Sequence, residues 1–137
     1  MRIRPSADAD GAAIVRLWES CGLTRAWNDP HKDINFAKQS SQSEILVGED
    51  EGQIIASVMV GHDGHRGAIY YLSVAPEQQG KGHGRAIHDA AVQWLRHQRV
   101  WKINLSVRGE NQSVRKFYEH LGYLQNDVIS FGFRLEP

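Results

Sequence analysis

LSVAPEQQGKGHG, residues 72–84, decides how the rest of the chain is read. An apolar run, Ala68 to Val74, stops at Pro76, three alternating glycines follow, and a helical pattern begins near Arg85. A strand, a glycine loop and a helix start in that order build a phosphate cradle. Glycines let backbone N–H groups converge on one anion, and the helix dipole favours negative charge at its N-terminus. A ligand carrying phosphate is therefore expected between Gln79 and Arg85.

Outward from that loop, apolar spacing lays out one domain over residues 1–137. Met1 to Arg4 reads as a short strand, and Ser6 as the cap of a first helix that carries Ile14, Leu17, Trp18 and Cys21 on one stripe and stops at Gly22. Residues 24–33 form a loop, and Pro30 opens a second helix to about Gln39. Ile45–Gly48 and Gln53–Val60 read as a hairpin, and the turn HDGHRG (62–67) leads into Ala68–Val74. After the glycine loop, Ile87, Ala90, Ala91, Trp94 and Leu95 give a helix one apolar face. Ile103, Leu105 and Val107 alternate as a half-buried strand. Val114, Phe117, Tyr118 and Leu121 mark a last helix closed by Gly122, and Tyr123 to Leu135 suggests a final hairpin. The expected fold is α+β: a mixed, twisted sheet of about seven strands flanked by four helices.

Sixteen basic residues balance sixteen acidic ones, so the formal charge is zero, which argues against a nucleic-acid grip built on many phosphate contacts. No segment approaches the roughly 20 apolar residues of a membrane span, and MRIRPSADAD has no hydrophobic signal core. A single cysteine, Cys21, excludes an internal disulfide and fits a reducing, cytoplasmic setting. Its place on the apolar stripe of the first helix makes it structural and a poor nucleophile.

Three phosphate ligands compete for the loop. A nucleoside triphosphate site needs Gly-Lys-Ser/Thr, but Lys81 precedes Gly82 and no hydroxyl follows to hold magnesium. A dinucleotide site needs G-x-G-x-x-G and an acidic residue ending the next strand. Here the loop reads G-x-G-x-G and the strand Lys102–Val107 runs into Arg108, with Glu110 nearby. The third ligand is an acyl-coenzyme A. Q-x-x-G-x-G at Gln79, Gly82 and Gly84, after L-S-V-x-P, resembles the pyrophosphate loop of the GNAT family of N-acetyltransferases. A second match lies downstream in NQSVRKFYEHLGY, where Asn111, Tyr118, Gly122 and Tyr123 are similar to the family's C-terminal signature N-x6-Y-x3-G-[FY]. The resemblance covers essentially the whole chain. Within the family, WNDP (27–30) and HDGHRG look like the YpeA-type bacterial subgroup.

That resemblance implies acetyl transfer from acetyl-coenzyme A to an amine by direct attack, without an acyl-enzyme. It assigns the diphosphate to backbone N–H groups from Gln79 through Gly80, Lys81, Gly82 and His83 to Gly84, with Lys81 and Arg85 adding charge at the rim. The pantetheine arm is expected to pair with Leu72, Ser73 and Val74 like an extra strand, with the N–H of Leu72 or Val74 polarising the thioester oxygen. Asn111 is expected to hydrogen-bond the arm from the other side. This requires Ala68–Val74 and Lys102–Val107 to splay apart. Tyr118 is the expected general acid, since a phenol of pKa about 10 is protonated at neutral pH.

The base is unassigned. Ser106 stands where many relatives place a glutamate, leaving His62, Asp63, His65, or a water held by Tyr70 or Tyr71. His62, Asp63 and His65 also invite a metal reading, but adjacent turn residues rarely converge on one ion, and no metal is expected. Asp63 and His65 could equally line the acceptor pocket or make an ordinary hairpin turn. The first two helices and their loop wall the acceptor site in relatives, which points to Trp27, Asn28 and Asp29, with Trp18 and His31 near. Asp29 could attract an ammonium or cap the helix at Pro30. The acceptor is a small-molecule or peptide amine, and an exposed final strand leaves room for a homodimer. The alternative function is a non-catalytic acyl-coenzyme A-binding regulatory module, which would keep the loop and tolerate loss of the acid.

Overall fold

The computed structural model describes residues 1–136. Two compact units result, one running from Met1 to Leu105 and the other starting at Ser106. In the first, β1 (Arg2–Pro5), β2 (Ser43–Asp50), β3 (Gln53–His62) and β4 (Gly67–Val74) form one sheet in that spatial order, antiparallel at every step. Helices α1 (Gly11–Ser20) and α2 (Pro30–Lys38) connect β1 to β2, and α3 (His83–His97) follows β4.

Strand alternation sorts the core onto two faces. Leu46 of β2 and Ala56, Val58 and Val60 of β3 pack with Ile87, Ala91 and Leu95 of α3. Ile45 and Val47, one residue off in β2, pack instead with Ile14, Val15 and Trp18 of α1 and Ile34 and Ala37 of α2. Each face of the sheet is thus closed by helix, and a one-residue slip of β2 would exchange the two sets.

The N-terminus of α1 departs from expectation. Ser6 is not its cap: the Ser6 N–H donates to the Ile45 carbonyl at 2.8 Å, continuing the β1–β2 pairing, and the side chain is buried. A single 3-10 turn at Asp8–Asp10 intervenes, and Asp10 precedes α1. The Asp10 carboxylate accepts from the Ala7 N–H at 2.7 Å and from the Arg4 guanidinium at 2.7 Å, and Arg4 also reaches Glu49 at 3.1 Å. The start of α2 matches expectation, with Pro30 in its first turn and Asp29 as its cap.

The sheet has four strands, not about seven, and its ladders are antiparallel, not mixed. Lys102–Val107, expected as a strand splayed from Ala68–Val74, meets β4 at one parallel bridge, between Gly67 and Ile103. Its bonds run from the Gly67 N–H to the Lys102 carbonyl and from the Asn104 N–H to the Gly67 carbonyl, both 2.9 Å. Ile103 and Leu105 still pack against the α3-side core, so the alternation buried the expected side chains without making a ladder.

In the second unit, α4 (Gln112–His120) is the one helix among the described residues. The expected hairpin at Tyr123–Leu135 is not a strand pair. Ile129, Phe131, Phe133 and Leu135 keep the two-residue apolar period of a strand yet are each at least 83% exposed. A period-two pattern states how a segment would bury its side chains once paired; it does not supply the partner's N–H and C=O groups.

Candidate active site

The loop after β4 is built as a donor surface. A 3-10 turn, Pro76–Gln78, ends β4's run, and Gly80 (φ 78°) and Gly82 (φ 86°) follow in the left-handed region. A Cβ at either would meet nothing within 4 Å, so the dihedral rather than crowding demands glycine. Gly82 caps α3 without a side-chain acceptor, and the first helical bond is Ala86 N–H to the Gly82 carbonyl. Six consecutive N–H groups, Gly80 through Arg85, therefore donate to no group among the described residues. Positive-end helix dipole and unpaired amides coincide there, which is the chemistry of a diphosphate site.

Gln79 joins the cradle differently from the expectation. Its N–H is engaged by the Pro76 carbonyl at 3.4 Å, and its side-chain Nε2 donates to the Val74 carbonyl at 3.1 Å, tethering the loop to the end of β4. Lys81 Nζ rests on Gln78 Oε1 at 3.2 Å. The Val74 carbonyl also accepts from Cys21 Sγ at 3.2 Å, and burial pushes that thiol's pKa up, which keeps Cys21 protonated and structural.

The outer edge of β4 is open. Beyond the Gly67 bridge, Ala68 to Val74 have no backbone partner on that side among the described residues. The Ala75 N–H donates to the Ile55 carbonyl at 2.8 Å, which fixes position 75 as facing β3. Backbone direction alternates along a strand, so Ser73 also faces β3, while Leu72 and Val74 turn their N–H groups to the open edge. Ser73 is buried, its Oγ 2.9 Å from Ser57 Oγ.

Between Tyr70 and Ser73 the strand carries one extra residue. Met59 pairs with Tyr70 and Ser57 with Ser73, two steps along β3 against three along β4. Tyr71 takes the strain, with φ 53°, a left-handed backbone that costs a bulky residue about 1–3 kcal/mol. The bulge changes the strand's parity. Ile69, Leu72 and Val74 all reach the α3-side core, whereas Tyr71 lies with the α1–α2 cluster on the other face.

Tyr71 is held on both sides. Its ring stacks on the fully buried Trp18 with centroids 3.8 Å apart and planes 5° from parallel. Its hydroxyl donates to Asp33 Oδ2 at 2.7 Å and accepts from Asn28 Nδ2 at 2.9 Å, and Asn28 Nδ2 also reaches Asp33 Oδ2 at 2.6 Å. Burial, then Asp33, push the Tyr71 pKa up to about 12, so the phenol stays a donor at every physiological pH. A stacked aromatic pair contributes about 0.5–1.5 kcal/mol and a hydrogen bond to a charged acceptor about 1.5–3 kcal/mol, enough together to offset the strain. Sequence reading singled out neither the bulge nor Asp33. The one signal was the Tyr70–Tyr71 pair, which cannot alternate normally in a strand that keeps Ile69 and Leu72 on one face.

The other expected acceptor residues divide. Trp27 is 63% exposed, and Asn28 belongs to the Tyr71 cluster. Asp29 caps α2, accepting from the His31 N–H at 3.0 Å. Trp18 is beneath Tyr71 and exposes nothing to a substrate. Asp63 accepts from the N–H groups of His65 (2.8 Å) and Arg66 (2.7 Å), and those bonds hold its carboxyl below the usual range. Asp63 and His65 thus make the β3–β4 turn, at the opposite end of β4 from the glycine loop, a distance of roughly 25 Å along a strand of that length.

In the second unit, Asn111 caps α4: its Oδ1 accepts from the Val114 N–H at 3.3 Å and from Ser113 Oγ at 3.2 Å. Its Nδ2 donates to nothing among the described residues. Tyr118 is 9% exposed, edge-on to Phe117 and Tyr123 at 5.2 and 5.3 Å between centroids. Burial, with Tyr123 beside it, pushes its pKa up to about 12.

The sequence profile of the acetyltransferase (GNAT) family matches residues 12–123. An acetyltransferase of Sodalis glossinidius (strain morsitans) is 41% identical over 136 residues, 98% of this chain and 96% of the relative. Among solved structures, the apo aminoglycoside antibiotic 6'-N-acetyltransferase of Acinetobacter haemolyticus superposes with a TM-score of 0.79 at 13% identity, covering 99% of this chain and all of that one. A predicted acetyltransferase of Clostridium acetobutylicum, solved with acetyl-CoA, superposes at 0.77 and 17% identity, covering 96% and 95%. At those identities the structural likeness speaks for the fold.

Proposed function

This chain belongs to the acetyltransferase (GNAT) family, whose acetyl donor is acetyl-coenzyme A, and from that premise we propose that it acetylates a primary amine by direct attack, with Tyr118 as general acid. The observation that carries the reading is the row of six unengaged amides from Gly80 to Arg85 heading α3, beside a strand edge with no partner. Both features fit a diphosphate continued by an amide-bearing arm.

The N–H groups of Gly80, Lys81, Gly82, His83, Gly84 and Arg85 would take the diphosphate oxygens, with the Lys81 and Arg85 charges at the rim. Leu72 and Val74 would pair with the arm along the open edge of β4, and one of their N–H groups would hold the thioester oxygen, stabilising the charge that develops there. Asn111 would contribute its free Nδ2 to the arm. Bound acetyl-coenzyme A supplies an acetyl group activated as a thioester. In transfer, the neutral amine forms the new N–C bond as the C–S bond breaks. Tyr118 gives its phenolic proton to the departing sulfur, and the amine's proton leaves through water. The raised Tyr118 pKa keeps that proton in place at neutral pH.

Trp27 and Asn28 would wall the acceptor, a small-molecule or peptide amine. The exposed, strand-patterned run from Ile129 to Leu135 supports pairing of two copies, which sedimentation would measure. No described helix is long and apolar enough to cross a membrane, and a cytoplasmic site fits the family's donor.

The test is an amine panel followed by free-thiol release, beside thermal shift with acetyl-coenzyme A, NAD and ATP. Thiol release with at least one amine, and stabilisation by acetyl-coenzyme A above the other two, are expected. Binding without turnover on any amine would make the chain an acyl-coenzyme A-binding module, and a larger shift with NAD would overturn the cofactor.

A further inference from the structure

We propose that Asp33 and Asn28 are positioning residues that act through Tyr71, locking the β4 bulge so that Leu72 and Val74 present their N–H groups at the open edge of the sheet. The inference rests on the acetyl-transfer reading of that edge and deepens it. Four observations carry it. The N–H of Gly67 faces outward, and so by alternation does that of Ile69. The N–H of Ala75 faces β3, so Val74 and Leu72 face outward again. The outward series therefore runs 67, 69, 72, 74, and the three-residue step falls on the bulge. Tyr71 is the residue whose φ of 53° makes that step.

The Tyr71 side chain is held from outside β4. Its hydroxyl is bound by Asp33 from α2 and by Asn28 from the loop before it, and its ring rests on Trp18 of α1. Trp18 is in turn fixed by its Nε1–H to Ser57 Oγ at 2.9 Å, and Ser57 meets Ser73, whose Oγ lies 3.3 Å from the Tyr71 carbonyl. Tyr71 and Ser73 are thereby both tied to the α1–α2 side of the sheet. The Asp33 carboxylate forms no ion pair among the described residues; its partners are the neutral amide of Asn28 and the neutral phenol of Tyr71. Arg25, whose charge acts on Tyr71, is spent on the carbonyls of Gly22 and Thr24 at 2.8 and 2.9 Å. A carboxylate that anchors a strained tyrosine and no cation is placed for geometry. The same contacts tie the α1–α2 loop, where the acceptor wall is expected, to the strand edge that would hold the thioester.

The experiment uses Asp33→Ala, Asp33→Asn and Tyr71→Phe in the full chain. Three readouts are taken: acetyl-coenzyme A affinity by calorimetry, kcat with the best amine of the panel, and amide resonances of residues 70–74. Asp33→Ala and Tyr71→Phe are expected to lower kcat at least tenfold, with acetyl-coenzyme A affinity, held mainly by the glycine loop, falling by a smaller factor than kcat. Asn keeps an oxygen that accepts from both partners, so Asp33→Asn is expected to restore kcat to within about threefold. The Leu72 and Ser73 amide resonances should move in Asp33→Ala and return in Asp33→Asn, with Val47 and Val58 unchanged. Unmoved Leu72 and Ser73 resonances in Asp33→Ala would overturn the lock, as would an Asn variant as impaired as Ala. A parent protein that acetylates no amine would sink the proposed function instead, and the resonances would still decide the lock.

Discussion

Replacing Gly82 with alanine separates the two reasons a glycine could stand there. The residue sits at φ 86° and caps α3, and a Cβ would meet nothing within 4 Å. An L-residue held left-handed loses roughly 1–2 kcal/mol. With an unfolding entropy of about 2.1 cal/mol/K per residue over 137 residues, that loss lowers Tm by about 3–7 °C. If the loop instead relaxes to negative φ, the amides before and after residue 82 swing out of line. Losing one hydrogen bond to a charged phosphate oxygen costs about 1.5–3 kcal/mol, a weakening of acetyl-coenzyme A binding by about 10- to 150-fold. Gly11→Ala is the control, because Gly11 has an ordinary helical φ of −52° and open space, so alanine should raise stability by about 0.4–1 kcal/mol. Differential scanning calorimetry gives the first quantity and titration calorimetry the second. A Gly82→Ala protein that loses stability as calculated and keeps its affinity has stayed left-handed with its amides in line. One that keeps its Tm, its loop relaxed, and still binds acetyl-coenzyme A as tightly as the parent would refute the cradle.

Tyr118→Phe removes the proposed acid while keeping the ring contacts. We expect kcat to fall about 100-fold or more with acetyl-coenzyme A affinity unchanged, and parent-like turnover would count against the role. Because burial raises the Tyr118 pKa to about 12, the parent's loss of acid function should begin only as pH rises toward that value, which a pH–rate profile reads directly. Asp29→Ala should destabilise the chain by about 1 kcal/mol through its cap on α2, measured by urea unfolding, with no change in charge-dependent amine selectivity. The Arg4 guanidinium, then the Ala7 N–H, hold the Asp10 carboxyl below its usual range. Its stabilising contribution is therefore present above the unfolded value of about 3.9 and lost as pH falls through the lower folded value, so Asp10→Asn should flatten the acid limb of a stability–pH curve.

Elements whose information is local were legible from the chain. The glycine loop announced itself because left-handed positions and a helix N-terminus need particular residues in a fixed order. The start of α2 at Pro30, the stop of α1 before the left-handed Gly22, the apolar stripes of α1 and α3, and strands β2 to β4 all follow from spacing in one segment, whereas Asp29 read equally as a cap or as an ammonium partner. Ser6 was misread because a serine before a helix pattern signals a cap only if its backbone is not already paired; here Ile45 takes it into the sheet. Residues 102–107 and 123–135 carry strand periodicity that no ladder answers, since alternation describes one chain and a strand needs two.

The candidate site divides along the same line. Residue order alone determined the phosphate cradle and the resemblance that named its ligand class, because a handful of neighbouring dihedrals make both. Tertiary structure decided the rest: which amides of β4 face outward, the left-handed Tyr71, and the Asn28–Asp33–Trp18 grip that holds it. Those depend on residues up to 53 positions apart, Trp18 against Tyr71, being brought into one contact. Strain at one residue is tolerated only when distant packing offsets it, and no local pattern records that compensation.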